Sequence, residues 1–288
     1  MSSAQKLIKY IAMGFAACMT IAILGVILNV VIGIVGAFVP EHNQKQKGNG
    51  TETVIEKVDS QKSYTGVEKL KIESSIYKID IIGGSKIEGV KVECSNIPST
   101  YKVYYEDGTI KTTDDNWVSG VFNKNTSSSK GRIKIYVSDK INLDKVDVEM
   151  GVGAVTVSNV SMKNLEVDCG VGAFSCDNVV AEDANISGGV GNVECDDVTF
   201  GGLELDGGVG EVSIKGTLTG KTEISAGMGN VDIDVNGKKD DYNVKVETGL
   251  GSIYIDGQKY KDSESYNNSE SNLIDIEGGI GTIHVDFN

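Results

Sequence analysis

Arginine, histidine and proline are almost missing from this chain of 288 residues. Arginine occurs once, at Arg132, and the prolines are Pro40 and Pro98. The histidines are His42 and His284. Neither has a recognisable nucleophile partner in the sequence. This favours a protein that is not an enzyme. With 27 basic against 41 acidic residues, the chain is not expected to bind nucleic acid.

Glycine, in contrast, is abundant and periodic. The triplet Gly-X-Gly occurs seven times after residue 146, and its first glycines are separated by steps of 19, 19, 19, 19, 22 and 30 residues. Such a period is typical of repeat proteins, whose units bury their apolar faces by stacking on their neighbours. The structural repeat glycines are Gly151, Gly153, Gly170, Gly172, Gly189, Gly191, Gly208, Gly210, Gly227, Gly229, Gly249, Gly251, Gly279 and Gly281.

Apolar residues recur in register around each triplet and alternate with polar residues, as strands do. Three columns are apolar in every unit, and Val148, Val155 and Val157 represent them in the first unit. The residues between the glycines are apolar as well, and we expect them to point to the core: Val152, Val171, Val190, Val209, Met228, Leu250 and Ile280. The pattern predicts an all-β fold, a β-helix-like β-solenoid of about seven rungs over residues 146–288, with glycines at the corners.

Two columns, one outward and one inward, each allow two interpretations. The outward one is mostly acidic and is interpreted as a solvated face, with weak cation binding as the alternative: Ser158, Asp177, Asp196, Lys215, Asp234, Asp256 and Asp286. The inward one places Cys176 and Cys195 on neighbouring rungs. They are interpreted as buried small hydrophobic side chains, with a disulfide as the alternative. No cysteine spacing matches a zinc pattern, so neither a metal nor another cofactor is expected.

The first 66 residues predict a membrane anchor. Residues 11–39 form an apolar run that is long enough to span a bilayer and too long for a signal-peptide core. A lipoprotein site at Cys18 is the less favoured alternative. Lys6 and Lys9 place residues 1–10 in the cytoplasm by the positive-inside rule, so the C-terminal domain is expected outside. Residues 40–66 are polar and predict a flexible tether.

Residues 67–145 predict an irregular β cap on the solenoid. Their first part matches the repeat spacing as a degenerate rung, and Asp107-Gly108 predicts a hairpin. A polar loop follows, in which Trp117 and Phe122 are interpreted as a lid contact or an exposed binding feature. The C-terminus shows no comparable cap, so that end of the solenoid is expected to be open.

The segments Arg132–Val137 and Leu143–Val148, followed by Gly-Val-Gly-x-Val units, resemble the bacterial putative-adhesin family, a β-strand-repeat domain of unknown function. The resemblance covers about residues 67–288, implies a membrane-anchored member, and supplies no catalytic residues. We expect a single-pass envelope protein whose ectodomain binds or scaffolds an unknown envelope protein or polysaccharide. The alternatives are a regulatory role in envelope-stress sensing and a bactofilin-like polymer that self-associates through the open end.

Overall fold

The computed structural model describes residues 57–74, 76–99, 101–114, 131–260, 263–267 and 272–288. They belong to one compact unit, Val54–Asn288, which contains the described hydrophobic core. The expected membrane helix over 11–39, the alternative site at Cys18, and the loop residues Trp117 and Phe122 lie outside the described residues. Among the residues that the structure describes, no helix has the length and apolar character needed to cross a membrane.

The described chain is almost entirely β-strand, as the alternating pattern predicted. Its only helical element in the described ranges is a 3-10 helix over Lys239–Asp241. The strands are β1 Lys57–Tyr64, β2 Lys69–Ser74, β3 Lys78–Ser85, β4 Val90–Pro98, β5 Tyr101–Glu106, β6 Thr109–Asp114, β7 Arg132–Ser138, β8 Leu143–Ser158, β9 Ser161–Asp177, β10 Val180–Ser187, β11 Val190–Val209, β12 Val212–Leu218, β13 Lys221–Met228, β14 Val231–Val235, β15 Asn243–Ile255, β16 Gln258–Tyr260, β17 Ser263–Asn267 and β18 Leu273–Phe287.

Successive repeats stack as parallel, in-register rungs of a solenoid. Val155 of β8 lies opposite Phe174 of β9, and Phe174 lies opposite Val193 of β11. The degenerate rung is confirmed, because β2 and β3 pair in parallel with β8 and place Leu70 opposite Val146. The three predicted inward columns are buried in every repeat, so the core is a set of apolar ladders along the stack.

The rungs do not stack in chain order at the C-terminal end. Strand β18 pairs with β13 and β14 on one side and with β15 on the other. The expectation of an open end is therefore wrong: β15 is the last long rung, and β16 and β17 pair antiparallel with it. The 30-residue final step supplies the chain that covers β15 and then returns to fill the gap between rungs.

The other end is capped by antiparallel strands. Strand β4 pairs with both β1 and β7, and the predicted hairpin is present as β5 and β6 around Asp107 and Gly108, both with positive φ. The tether predicted over 40–66 ends earlier than expected, because β1 begins at Lys57. This strand lacks an alternating apolar pattern because its described side chains from 59 to 63 are exposed. The single arginine, Arg132, forms an ion pair with the buried carboxylate of Asp80.

The repeat glycines allow neighbouring rungs to approach closely at one corner. Gly172 has φ +151°, a conformation that other residues rarely adopt. A Cβ atom placed on it would overlap the carbonyl oxygen of Gly153 on the rung below, and the same overlap recurs between Gly191 and Gly172. We call this bend the glycine corner.

A second corner relies on asparagine and aspartate. Asn159, Asn178 and Asp197 have φ between 50° and 56°, the left-handed region that these two residue types tolerate best. The Asn178 side chain also donates a hydrogen bond of 2.8 Å to the Asn159 side chain of the rung below. Sequence reasoning missed this corner, although an Asn or Asp directly before a buried valine marks it in three successive repeats.

We predict that Gly172→Ala destabilises residues 54–288 by at least about 3 kcal/mol, because the methyl group adds an overlap to backbone strain. Gly257→Ala is the matched control, since Gly257 also has positive φ, +70°, but open space around it. It should cost only about 1 kcal/mol. Urea unfolding followed by far-UV circular dichroism measures both, and equal losses would contradict close packing at the corner.

Candidate functional site

The residue between the two corner glycines points outward, contrary to the expectation. Leu250 is 71% exposed and Ile280 is 52% exposed, while the equivalent residues of the other repeats are half-buried. The chain bends at the two glycines, so the side chain between them projects from the outer side of the bend. An apolar identity alone could not distinguish this position from a core position.

These residues form one apolar row along the solenoid. Val152, Val171 and Val190 lie opposite one another on successive rungs, and Ile280 lies between Met228 and Leu250. With rungs about 4.8 Å apart, seven residues extend over about 29 Å. We call this row the corner ladder, in spatial order Val152, Val171, Val190, Val209, Met228, Ile280 and Leu250.

Exposed carboxylates lie on both sides of the corner ladder. The column three residues before it contains five exposed acids: Glu149, Asp168, Asp206, Glu247 and Glu277. The face that follows it adds three more: Glu194, Glu211 and Asp232. The arrangement is an apolar ridge between two acidic faces, which suits an apolar and cationic ligand.

A groove of about 640 Å³ lies on the face that precedes the corner ladder. It opens where Gly202 stands opposite Asp183 without a side chain of its own. Its polar lining consists of carboxylates and amides in the middle and a lysine towards each end: Asn164, Glu166, Asp183, Asn185, Glu204, Glu223, Lys145 and Lys221. The carboxylates and the amide oxygens among them can accept hydrogen bonds from hydroxyl or amino groups.

The lysines of this face are paired at its two ends. Lys145 bonds to Glu166 and lies 3.4 Å from Asp147, and Lys221 lies 2.7 Å from Glu223. The hydrogen bond to Glu166 raises the pKa of Lys145, so its positive charge is retained. Among the described residues, Asp183 and Glu204 form no ion pair, which leaves the middle of the groove negative.

The predicted acidic column is present in register as the aspartate ladder. Asp177 lies opposite Asp196, Lys215 opposite Asp234, and Asp234 opposite Asp286. Within the described ranges, no three acidic, cysteine or histidine side chains converge so that they could hold a metal ion.

Of the two histidines, the structure describes only His284. His42 lies outside the described residues. His284 is half-buried on the outward face, where its ring lies 4.7 Å from the Tyr254 ring and opposite Asp232 of the neighbouring rung.

Comparison with known proteins identifies the repeat. A family model described as Toastrack DUF4097 matches residues 96–285, more than half of the chain. The chain belongs to the Toastrack DUF4097 family. The resemblance to the putative-adhesin family, carried by the same repeat pattern, is thereby confirmed.

Two crystal structures are similar to this Toastrack chain. One, named a putative adhesin from Bacteroides fragilis, is 16% identical, covers 82% of this chain and 99% of its own, and has a TM-score of 0.51. Another, named a putative cell adhesion protein from Clostridium sporogenes, is 15% identical, covers 81% of this chain and 100% of its own, and has a TM-score of 0.39. The first likeness shows a shared fold. No curated protein matches the sequence.

The cysteines of the Toastrack domain are buried free thiols. Cys176 lies opposite Cys195 on the neighbouring rung, and both are free, in agreement with the favoured interpretation. The pKa of Cys176 is raised most by the hydrogen bond with Cys195 and further by burial. Burial raises the pKa of Cys169 to about 12, so its thiolate, the reactive form, is scarce at ordinary pH.

We predict that iodoacetamide at about pH 8.5 leaves Cys94, Cys169, Cys176 and Cys195 of folded residues 54–288 unmodified, since reaction needs exposed thiolate. The same fragment in urea should take up all four alkyl groups in the same time. Intact-mass spectrometry counts the adducts. Rapid modification of the folded protein would show that these rungs open.

We also predict that Asp286→Asn raises the free energy of unfolding by about 0.5 kcal/mol at low salt, because it removes repulsion between stacked carboxylates. The gain should shrink near 1 M salt, where charges are screened. Asp139→Asn, an exposed turn position outside the aspartate ladder, is the control and should change little. A loss of stability from Asp286→Asn would favour a bound cation instead.

Proposed function

We propose that the chain is a non-enzymatic, membrane-anchored envelope protein whose Toastrack solenoid is a binding or scaffolding ectodomain. The observation that carries this proposal is the continuity of its outward columns. The corner ladder and the aspartate ladder both run across successive rungs, so similar chemistry repeats along one stack of rungs. Repeated chemistry of this kind suits an extended partner better than a small substrate.

The charge distribution also supports a binding role. Only Lys6 and Lys9 among the charged residues lie in the first forty positions, so the remainder contains 25 basic and 41 acidic residues, a net charge of −16. A domain of this charge is repelled by anionic membrane surfaces and nucleic acid and attracts cationic groups. The similar Bacteroides fragilis protein is named a putative adhesin, and our proposal extends a surface-binding role to this chain.

The apolar run over residues 11–39 supports the anchor. It exceeds the roughly 20 residues that span a bilayer, and residues 40–56 would separate it from β1. The preceding lysines favour a cytoplasmic N-terminus. The Toastrack domain would then face the outside, where envelope proteins and polysaccharides are accessible.

We predict that the full chain with a C-terminal epitope remains in the membrane after an alkaline carbonate wash. Protease added to intact cells should remove the epitope, because the solenoid lies outside. Lys6→Glu with Lys9→Glu is the matched variant, and it should protect more of the epitope, because the charge bias is reversed. Release by carbonate would contradict the anchor, and a fully protected epitope in the parent chain would contradict the orientation.

A further inference from the structure

The apolar identity of the corner ladder is not required by the corner itself. The bend is produced by the flanking glycines, and the side chain between them faces solvent, most of all at Ile280 and Leu250. A serine or threonine would meet the same backbone geometry without exposing apolar surface. Seven aliphatic or thioether side chains in one row outside the buried core, two of them exposed and five half-buried, therefore indicate a surface that becomes covered.

A second copy of this chain is a poor occupant. The row is about 29 Å long and one side chain wide, roughly 300 Å², whereas a stable interface buries about 800 Å² on each partner. Widening the contact would bring together the acidic faces of two copies that each carry the same charge, which is unfavourable. An anionic bilayer meets the same repulsion.

We propose that the corner ladder is the docking surface for a basic amphipathic α-helix of a partner protein. The apolar stripe of such a helix would cover the ladder, and about 19 residues at 1.5 Å per residue match its length. Lysine and arginine side chains at the stripe edges extend their apolar stems outward and carry the charge to both sides. There they meet Glu247 and Glu277 on one face and Asp232 on the other.

The contact is strongest at the end of the stack formed by Met228, Ile280 and Leu250. These three residues lie opposite one another on adjacent rungs, and the two most exposed members of the ladder are among them. Glu247 and Glu277 are also opposite each other beside this end, and Lys245, which lies 3.4 Å from Glu247, is shared with Asp275. The two glutamates and Asp275 therefore face one lysine, which leaves a net negative charge. Apolar burial supplies the affinity, and the acidic pair selects a basic partner.

This inference deepens the proposed function by naming the chemistry of the partner, and it is tested on residues 54–288 without the anchor. The probe is a fluorescent 20-residue helix of leucine, alanine and lysine, with leucines on one face and lysines at both edges. Anisotropy measures its binding. The double variant Ile280→Asn with Leu250→Asn should weaken binding by at least about tenfold, because two anchors are lost.

Val180→Asn is the matched control, because Val180 is 45% exposed but lies outside the corner ladder. It should change the affinity by less than about twofold. Glu247→Gln with Glu277→Gln should weaken binding and reduce its salt dependence, because the charge attraction is removed. A probe with glutamate in place of lysine should not bind.

Several outcomes would overturn the inference. These are absence of probe binding, equal binding by the Ile280 and Leu250 double variant, and equal binding of the glutamate probe. A dimer in sedimentation that the double variant dissociates would assign the ladder to a second copy. Binding of the fragment to phosphatidylglycerol vesicles would assign it to lipid. The protease experiment is independent of these results, so the anchored ectodomain can stand if the helix-binding proposal fails.

Discussion

The fold depends on the close approach of backbones at the glycine corner. The carbonyl oxygen of one repeat glycine occupies the space that a Cβ atom of the next would need, as between Gly153 and Gly172. Any other residue would push two rungs apart and strain the backbone. Because the contact recurs in nearly every repeat, it sets the register of the stack, and the register in turn aligns the apolar columns that form the core.

The register set at the glycine corner does not determine the order in which the rungs stack. Every repeat presents the same corner and the same inward columns, so several rungs could stack on one another with similar local contacts. The chain resolves this through its connections: the long segment after β15 forms β16 and β17, covers the end rung, and lets β18 insert beside β13 and β14. The covered end removes an exposed strand edge, which is a site of unwanted pairing.

The structural features that follow from periodic spacing could be predicted from the sequence. The inward columns, the degenerate rung at Leu70, the hairpin at Asp107 and the register of the aspartate ladder all follow from spacing. Prediction from the sequence failed where the same residue type serves two roles: Leu250 has the apolar identity of a core residue but lies on a ridge. The position of β18 was missed because it depends on connection length and on the equivalence of rungs. The groove at Gly202 was missed because Gly202 lies outside the Gly-X-Gly triplets, and the periodic pattern does not show that its missing side chain leaves a space.

The two corners of each repeat differ in a way that bears on function. At the second corner, formed by Asn159, Asn178 and Asp197, left-handed backbone explains the residue type, and the Asn178 side chain satisfies part of its own hydrogen bonding through Asn159. At the glycine corner, backbone geometry explains the glycines but not the residue between them. Its apolar character persists from Val152 to Leu250, whereas the residue two positions later varies among alanine, asparagine, glutamate, serine and threonine. A property that persists outside the buried core without serving the fold is best explained by contact with another molecule.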